Sequence, residues 1–256
     1  TSDGIDAAMA AASSFGARAF REHFHTVYSI GLIDEGSTAS TVSGRSYRAT
    51  RGQLVVLEPY AVHACHPVVG SVFSYRMFFV EHDWLASPGE AELSFPTPAL
   101  DDPDLFATLS GLYNALLTAS DLAGLEQRLR QAFSALALTH GRARGAEQRT
   151  PVDELGLGGS AVAGALDRRD VAALARTAGM SRAHFSRRFK STTGLSPHAY
   201  LILLRVEAAK RLLANGASIA ATASEVGFSD QSHFARTFRR FSGATPAQYQ
   251  AASLRD

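Results

Sequence analysis

The 256-residue chain has one cysteine, Cys65, so it has no intrachain disulfide framework. On that count the cytoplasm is the expected location, and Cys65 itself reads as a small buried hydrophobe rather than a reactive thiol. No run of about 18 consecutive apolar residues occurs, which excludes a helical membrane span. The alanine-rich opening, TSDGIDAAMAAASSFGARAF, carries Asp3 and Asp6 where a secretory signal would carry basic residues, so no export signal is expected. There is no glycine-rich phosphate loop of the Walker type, and no motif gathers Ser, His and Asp into a nucleophilic triad.

Net charge is nearly absent too, at +1, but the sum hides an asymmetry. Residues 1–140 hold 8 basic against 15 acidic side chains, a balance of −7, whereas residues 141–256 hold 17 against 9, or +8. Only the second half suits a polyanion, because nucleic-acid affinity rests on neutralising phosphates.

Within residues 24–80, the stretches TVYSIGLID, SYRAT, GQLVVLEP and SVFSYRMFFV are short, rich in β-branched and aromatic residues, and bounded by Gly, Asp and Pro. Strands this closely spaced predict a small barrel or sandwich. From Pro103 the period becomes helical, with Leu105, Leu109, Leu112 and Leu116 on one stripe and Leu122, Leu125, Leu129, Phe133 and Leu136 on the next. This predicts a helical hairpin, packed on the barrel or against a second copy. Residues 140–159, HGRARGAEQRTPVDELGLGG, have no sustained apolar period, and 141–158 read as a linker between domains at 1–140 and 159–256.

The second domain contains an internal repeat. AGMSRAHFSRRFKSTTGLSPHAY (178–200) aligns with VGFSDQSHFARTFRRFSGATPAQY (226–249), at an offset of 48 residues for Gly179 and Ser181 and 49 for Phe185, Phe189, Gly194, Pro197 and Tyr200. In each copy an alanine-rich helix ends at a glycine, Gly179 or Gly227. Ser181 or Ser229 then stands at the start of a second helix, with Asp230 adding a favourable charge. Small Ala175 and Ala223 let the two helices cross closely, as in a helix-turn-helix. Phe185 and Phe189, and likewise Phe234, Phe238 and Phe241, bury one face. The opposite face offers Arg182, Ser186 and Arg187 in copy one and Gln231, Ser232, Arg236, Arg239 and Arg240 in copy two, side chains able to reach phosphates and base edges. Gly194 and Gly243 stop these helices, and Ser-Pro or Thr-Pro begins the next. Between the copies, residues 198–216 predict one helix of about 25 to 28 Å, which would set the two units near the ~34 Å repeat of duplex DNA.

These repeats resemble the AraC/XylS family of bacterial transcription regulators; the resemblance is strong over 159–250, and GFSDQSHFARTFRRFSGATPAQY is close to the family signature. By position, the resemblance implies that Ala183, Ser186 and Arg187, and Gln231, Ser232 and Arg236, face double-stranded DNA at a promoter or operator. REHFHTVYSIGLIDEG and RGQLVVLEPYAVHACHP resemble the family's cupin-type sensor domain, which implies that His23, His25 and His63 line a small-molecule effector pocket. The family also implies dimerisation, here through 103–140, and contact with RNA polymerase.

His23 and His25, two apart, together with His63 and His66 are a set that could hold a divalent metal. Metal-dependent cupin enzymes usually add a glutamate three or four residues after the HxH pair, and here Tyr28 and Ser29 stand at those places. The histidines are therefore expected to hydrogen-bond a ligand or the barrel, with Glu58 the one substitute carboxylate. No metal, cofactor or catalytic residue is assigned. Tyr28, Tyr75 and Arg76 are candidates to join the histidines around a polar or anionic effector.

The chain is thus expected to be a two-domain α+β protein, a cupin-like barrel with a helical hairpin followed by an all-α double helix-turn-helix. The expected function is an effector-controlled, sequence-specific DNA-binding regulator. The alternative is a metal-dependent cupin-type enzyme, or a small-molecule binding protein, with a basic appendage.

Overall fold

The structure is a computed structural model that describes residues 11–15, 22–68, 72–86, 92–117, 122–145, 153–155, 171–242 and 244–253. It divides into two compact units, Thr1–Gln148 and Arg149–Asp256. The start of the second domain at 159 and the helix stop at Gly243 lie outside the described residues.

The first unit is built on sheets. Strands β1 (Ala11–Phe15), β2 (Tyr28–Glu35), β5 (Leu54–Leu57), β7 (Phe73–Val80) and β9 (Ala99–Leu100) form a five-stranded sheet in the order β1-β7-β2-β5-β9. Strands β3 (Ser37–Val42), β4 (Arg45–Thr50) and β6 (His63–Ala64) form a second sheet in the order β4-β3-β6. The four stretches expected as strands are β2, β4, β5 and β7.

Because strand side chains alternate, the five-stranded sheet has two differently used faces. Tyr28, Ile30, Leu32, Leu54, Val56, Phe78 and Val80 point to one side, where α1 (Pro103–Leu116) and α2 (Leu122–His140) cover them. Leu105, Leu109 and Leu112 of α1 and Leu125, Leu129, Phe133 and Leu136 of α2 are all buried in that core, so the two leucine stripes pack on their own sheet. Phe78 anchors the layer with edge contacts to Tyr113 and Phe133, both at 5.5 Å. The other side of the sheet faces the three-stranded one: Ile33, Val55, Leu57 and Phe73 cluster with Ala49 of β4, and Val42, Tyr47 and Tyr75 pack at the edge. Gly31 lies on this inner face, where a Cβ would meet the Met77 side chain at 3.2 Å.

The hairpin is closed at its open end by Asp102. Its Oδ1 accepts from Leu105 N at 3.0 Å, capping α1 ahead of Pro103, and its Oδ2 lies 2.8 Å from His140 Nε2 at the end of α2. These bonds hold the Asp102 carboxyl below the ordinary carboxylate range, the His140 contact contributing most.

The span 141–158, expected as a linker, opens with regular structure. Residues Arg142–Ala143 form β10, paired with β8 (Leu93–Ser94), and Arg144 binds Glu58 at 2.5 Å. A composition rich in Gly and Arg concealed a short strand whose partner lies about 50 residues earlier in the chain. The division between Gln148 and Arg149 falls inside 141–158.

Among the described residues, the second unit has a short 3-10 turn at Asp153–Leu155 and then the helices α3 (Val171–Thr177), α4 (Arg182–Thr193), α5 (Pro197–Ala214), α6 (Ile219–Glu225), α7 (Gln231–Ser242) and α8 (Pro246–Ser253). The sequence repeat is a structural one. Helices α3 and α6 both end in a glycine at positive φ, 64° at Gly179 and 90° at Gly227. In both, the next amide reaches back to the buried alanine: Met180 N to Ala175 O and Phe228 N to Ala223 O, each at 2.9 Å. Phe189 meets Tyr200 edge-on at 5.2 Å, and the equivalent Phe238 meets Tyr249 at 5.4 Å, with interplanar angles of 78° and 77°. The copies differ at the cap. Ser181 Oγ accepts from His184 N, but in copy two Asp230 Oδ1 accepts from His233 N at 2.7 Å and Ser229 only supports Asp230. The one-residue insertion moves the capping position from the serine to the following aspartate.

Candidate functional site

Two sites emerge, one on each unit. On the second unit, α4 and α7 each bury two phenylalanines completely or nearly so: Phe185 and Phe189, and Phe234 and Phe238. At about 100° per residue, the positions farthest from these stripes are Arg187 in α4 and Arg236 in α7, equivalent residues of the repeat. Both are exposed. Arg182, Ala183, Gln231, Ser232, Arg239 and Arg240 are exposed as well, and Ser186 is half-buried. Arg240 also lies over the Phe241 ring at 5.5 Å.

Sequence reasoning missed a member of this face. Lys190 is exposed and stands where Arg239 stands in the second copy. The 49-residue offset was the signal that could have found it. Each copy therefore carries an arginine at the centre of its outer face and a second cation one turn later.

Helix α5 holds the copies together. Tyr200 at its start packs on Phe189, while Val206, Ala209 and Leu213 share a core with Ala223, Phe234 and Phe238. Gln250 of α8 donates to Ala217 O at 2.7 Å, tying the last helix to the turn after α5.

On the first unit, the structure brings together three of the four histidines singled out. His23, His25 and His63 each offer a ring nitrogen, all within 4.8 Å of one another. The ring centroids lie 4.2 Å apart for His23 and His63, 5.1 Å for His23 and His25, and 5.2 Å for His25 and His63. His23 and His25 are not on a strand; His23 makes an isolated antiparallel bridge with His63, donating to His63 O at 3.0 Å and accepting from His63 N at 2.8 Å. His25 O accepts from Tyr60 N at 2.7 Å. Burial, reinforced by the two neighbouring imidazoles, holds His63 well below the usual histidine range, so its ring is neutral.

The remaining candidates stand elsewhere. His66 is exposed and outside the cluster. Tyr28 faces the helices, fully buried, and its hydroxyl both donates to Leu93 O at 2.8 Å and accepts from Leu93 N at 2.9 Å. Burial pushes its pKa up to about 12. Arg76 also faces the helices; it grips both carboxylate oxygens of Asp34, donates to Ser110 O at 3.1 Å and lies 5.2 Å from the Tyr113 ring centre. The reason is strand parity: Tyr28 and Arg76 share the outer parity of β2 and β7, while Tyr75, Met77 and Phe79 take the inner one. Those three are half-buried on the inner face, and Phe79 meets His25 edge-on at 4.8 Å. Glu58 is committed to Arg144 and to Phe95 N, so it supplies no carboxylate to the histidines.

Comparison with known proteins places both units. Residues 174–252 match the family described as a helix-turn-helix domain, and residues 11–133 match the AraC-like ligand binding domain. The uncharacterized HTH-type transcriptional regulator YbfI of Bacillus subtilis is 29% identical over 232 residues, covering 84% of this chain and 81% of that protein. The HTH-type transcriptional regulator MtrA of Neisseria gonorrhoeae is 38% identical over 85 residues, 33% of this chain and 28% of that protein. Among solved structures, ToxT of Vibrio cholerae superposes with a TM-score of 0.60 at 13% identity, covering 98% of this chain and 99% of that one, a likeness of fold.

Proposed function

Because the chain belongs to the AraC-type transcriptional regulators, we propose that it reads operator DNA with α4 and α7 under the control of a small molecule taken up by its N-terminal unit. The observation that carries this reading is the repetition of one outer face: Arg187 with Lys190, and Arg236 with Arg239, all exposed opposite buried phenylalanines. Arginine at the centre of each face suits bidentate contact with a guanine edge, and the second cation suits phosphate. Arg182, Ala183, Ser186, Gln231, Ser232 and Arg240 complete the two surfaces.

In the first unit the effector would contact the inner sheet face around Tyr75, Met77 and Phe79, beside the histidines. Its binding would shift the chain between states that differ in DNA affinity, in contact with RNA polymerase, or in association through α1 and α2. The protein would act in the cytoplasm, and it would be a regulator rather than an enzyme. Among the described residues the histidine group contains no carboxylate, which weighs against the oxygenase-type alternative.

A mobility-shift assay of the full chain with promoter DNA at moderate salt tests the DNA reading. A complex that resists nonspecific competitor, and that is lost when Arg187 and Arg236 are both replaced by Ala, is expected. No sequence preference under any condition, including a screen of metabolites that raise the melting midpoint, would remove the reading.

A further inference from the structure

We propose that His23, His25 and His63 form a binding site for one divalent first-row transition ion of the zinc type. Three imidazoles converge with a donor nitrogen from each within 4.8 Å of the others. Ligands of a tetrahedral zinc, at about 2.0–2.1 Å from the ion, lie roughly 3.4 Å apart, so the group closes on an ion by about 1 Å of side-chain rotation. The rings are tilted or edge-on to one another, at 84°, 55° and 43°, so no two of them stack face to face.

The backbone fixes this convergence in advance. The reciprocal amide–carbonyl pair between His23 and His63 holds those two residues directly opposite each other, and the Tyr60 amide holds His25. Tyr60 achieves this at φ 61°, a left-handed conformation that a bulky side chain adopts only under constraint from its surroundings. Such strain collects at binding sites, where it is stored to keep a constellation in place.

A second feature points independently to a metal. His63 Nδ1 lies 2.8 Å from Ala61 O. A carbonyl oxygen only accepts, so Nδ1 carries the proton and Nε2 presents a lone pair. Metal-binding histidines characteristically spend their other ring nitrogen in this way, on a backbone carbonyl or a carboxylate, which fixes both tautomer and ring orientation. Neutral nitrogen donors suit zinc, cobalt, nickel, copper or iron, and not magnesium or calcium, which take oxygen. Three protein ligands leave at least one coordination position for water or for an oxygen of a bound small molecule.

The test uses the untagged full chain, stripped with chelator and titrated with Co(II) and then Zn(II). One equivalent of either ion is expected to survive gel filtration. Cobalt should show the visible absorption of a low-coordinate nitrogen site, and zinc should raise the melting midpoint. His25→Gln and His63→Gln are expected to abolish stoichiometric binding, and His66→Gln to leave it intact. X-ray absorption of the zinc-loaded wild type should show histidine nitrogens in the first shell. Failure of the wild type to retain zinc or cobalt, a first shell of oxygen or sulfur only, or full retention by the His25→Gln/His63→Gln double variant would overturn the site. If the variants fail to fold, the wild-type retention and X-ray absorption results decide alone.

Discussion

Arg187 and Arg236 occupy the same place in two copies of one unit, and replacing either tests what that place does. Arg236→Ala is expected to relax preference at one base position by about 1 to 3 kcal/mol while leaving the rest of the operator preference intact, read by competition binding against single-base variants. The Arg76→Ala replacement separates two roles that the sequence left mixed. Since Arg76 bridges β7 to Asp34 and α1, its loss should cost about 2 kcal/mol of stability, visible in denaturant unfolding. Affinity for a molecule on the inner sheet face should stay within a few-fold of wild type. Tyr28 belongs with Arg76: both were candidates for the pocket, and only the parity of β2 and β7 shows that they point the other way.

Among the elements, the turn inside each helix-turn-helix sets the crossing of its helices. Gly179 has φ 64° and open space where a Cβ would stand. Gly179→Ala therefore tests backbone strain without a clash, and should cost about 1 kcal/mol by thermal or chemical unfolding. The α1–α2 hairpin has its own switch. Asp102 is held below its unfolded pKa by His140 and by the Leu105 amide, so its contribution is complete above the ordinary aspartate range near ~3.9 and disappears as pH falls through the lower folded value. Asp102→Ala should remove about 1 kcal/mol at neutral pH and flatten the acid limb of the stability profile. The strands that were legible carried β-branched and aromatic residues, as in β2, β5 and β7. Strand β3, STASTV, was not, because its serines and threonines compete for backbone bonds as turn residues do; in the sheet Thr38 and Ser40 bond each other and lie near Cys65. The helices of the second unit were almost wholly legible, since caps, glycines and phenylalanine spacing agree there. The histidine set was legible as a set; what was not is that His66 stands outside it, because the backbone bridge that joins His23 to His63, 40 residues apart, leaves no periodic trace.

At the scale of the whole molecule, a formal charge of +1 means that the chain as a body has little attraction for DNA. Binding must come from a local field. The logarithm of affinity should then fall linearly with the logarithm of salt concentration at a slope of about 0.9 per phosphate contacted. Lys190→Ala and Arg239→Ala should each reduce that slope by about 1 while lowering affinity uniformly across sequences. The tandem repeat carries a further consequence. A dimer built on a twofold axis looks the same from either end of its binding site. This chain instead presents two unlike surfaces in one covalent order, Arg182 and Ala183 in the first where the second has Gln231 and Ser232, joined through α5. A protein with a head and a tail lays an arrow along the duplex, so inverting the sequence it reads would reverse the direction in which its two helix-turn-helix copies follow one another along the DNA.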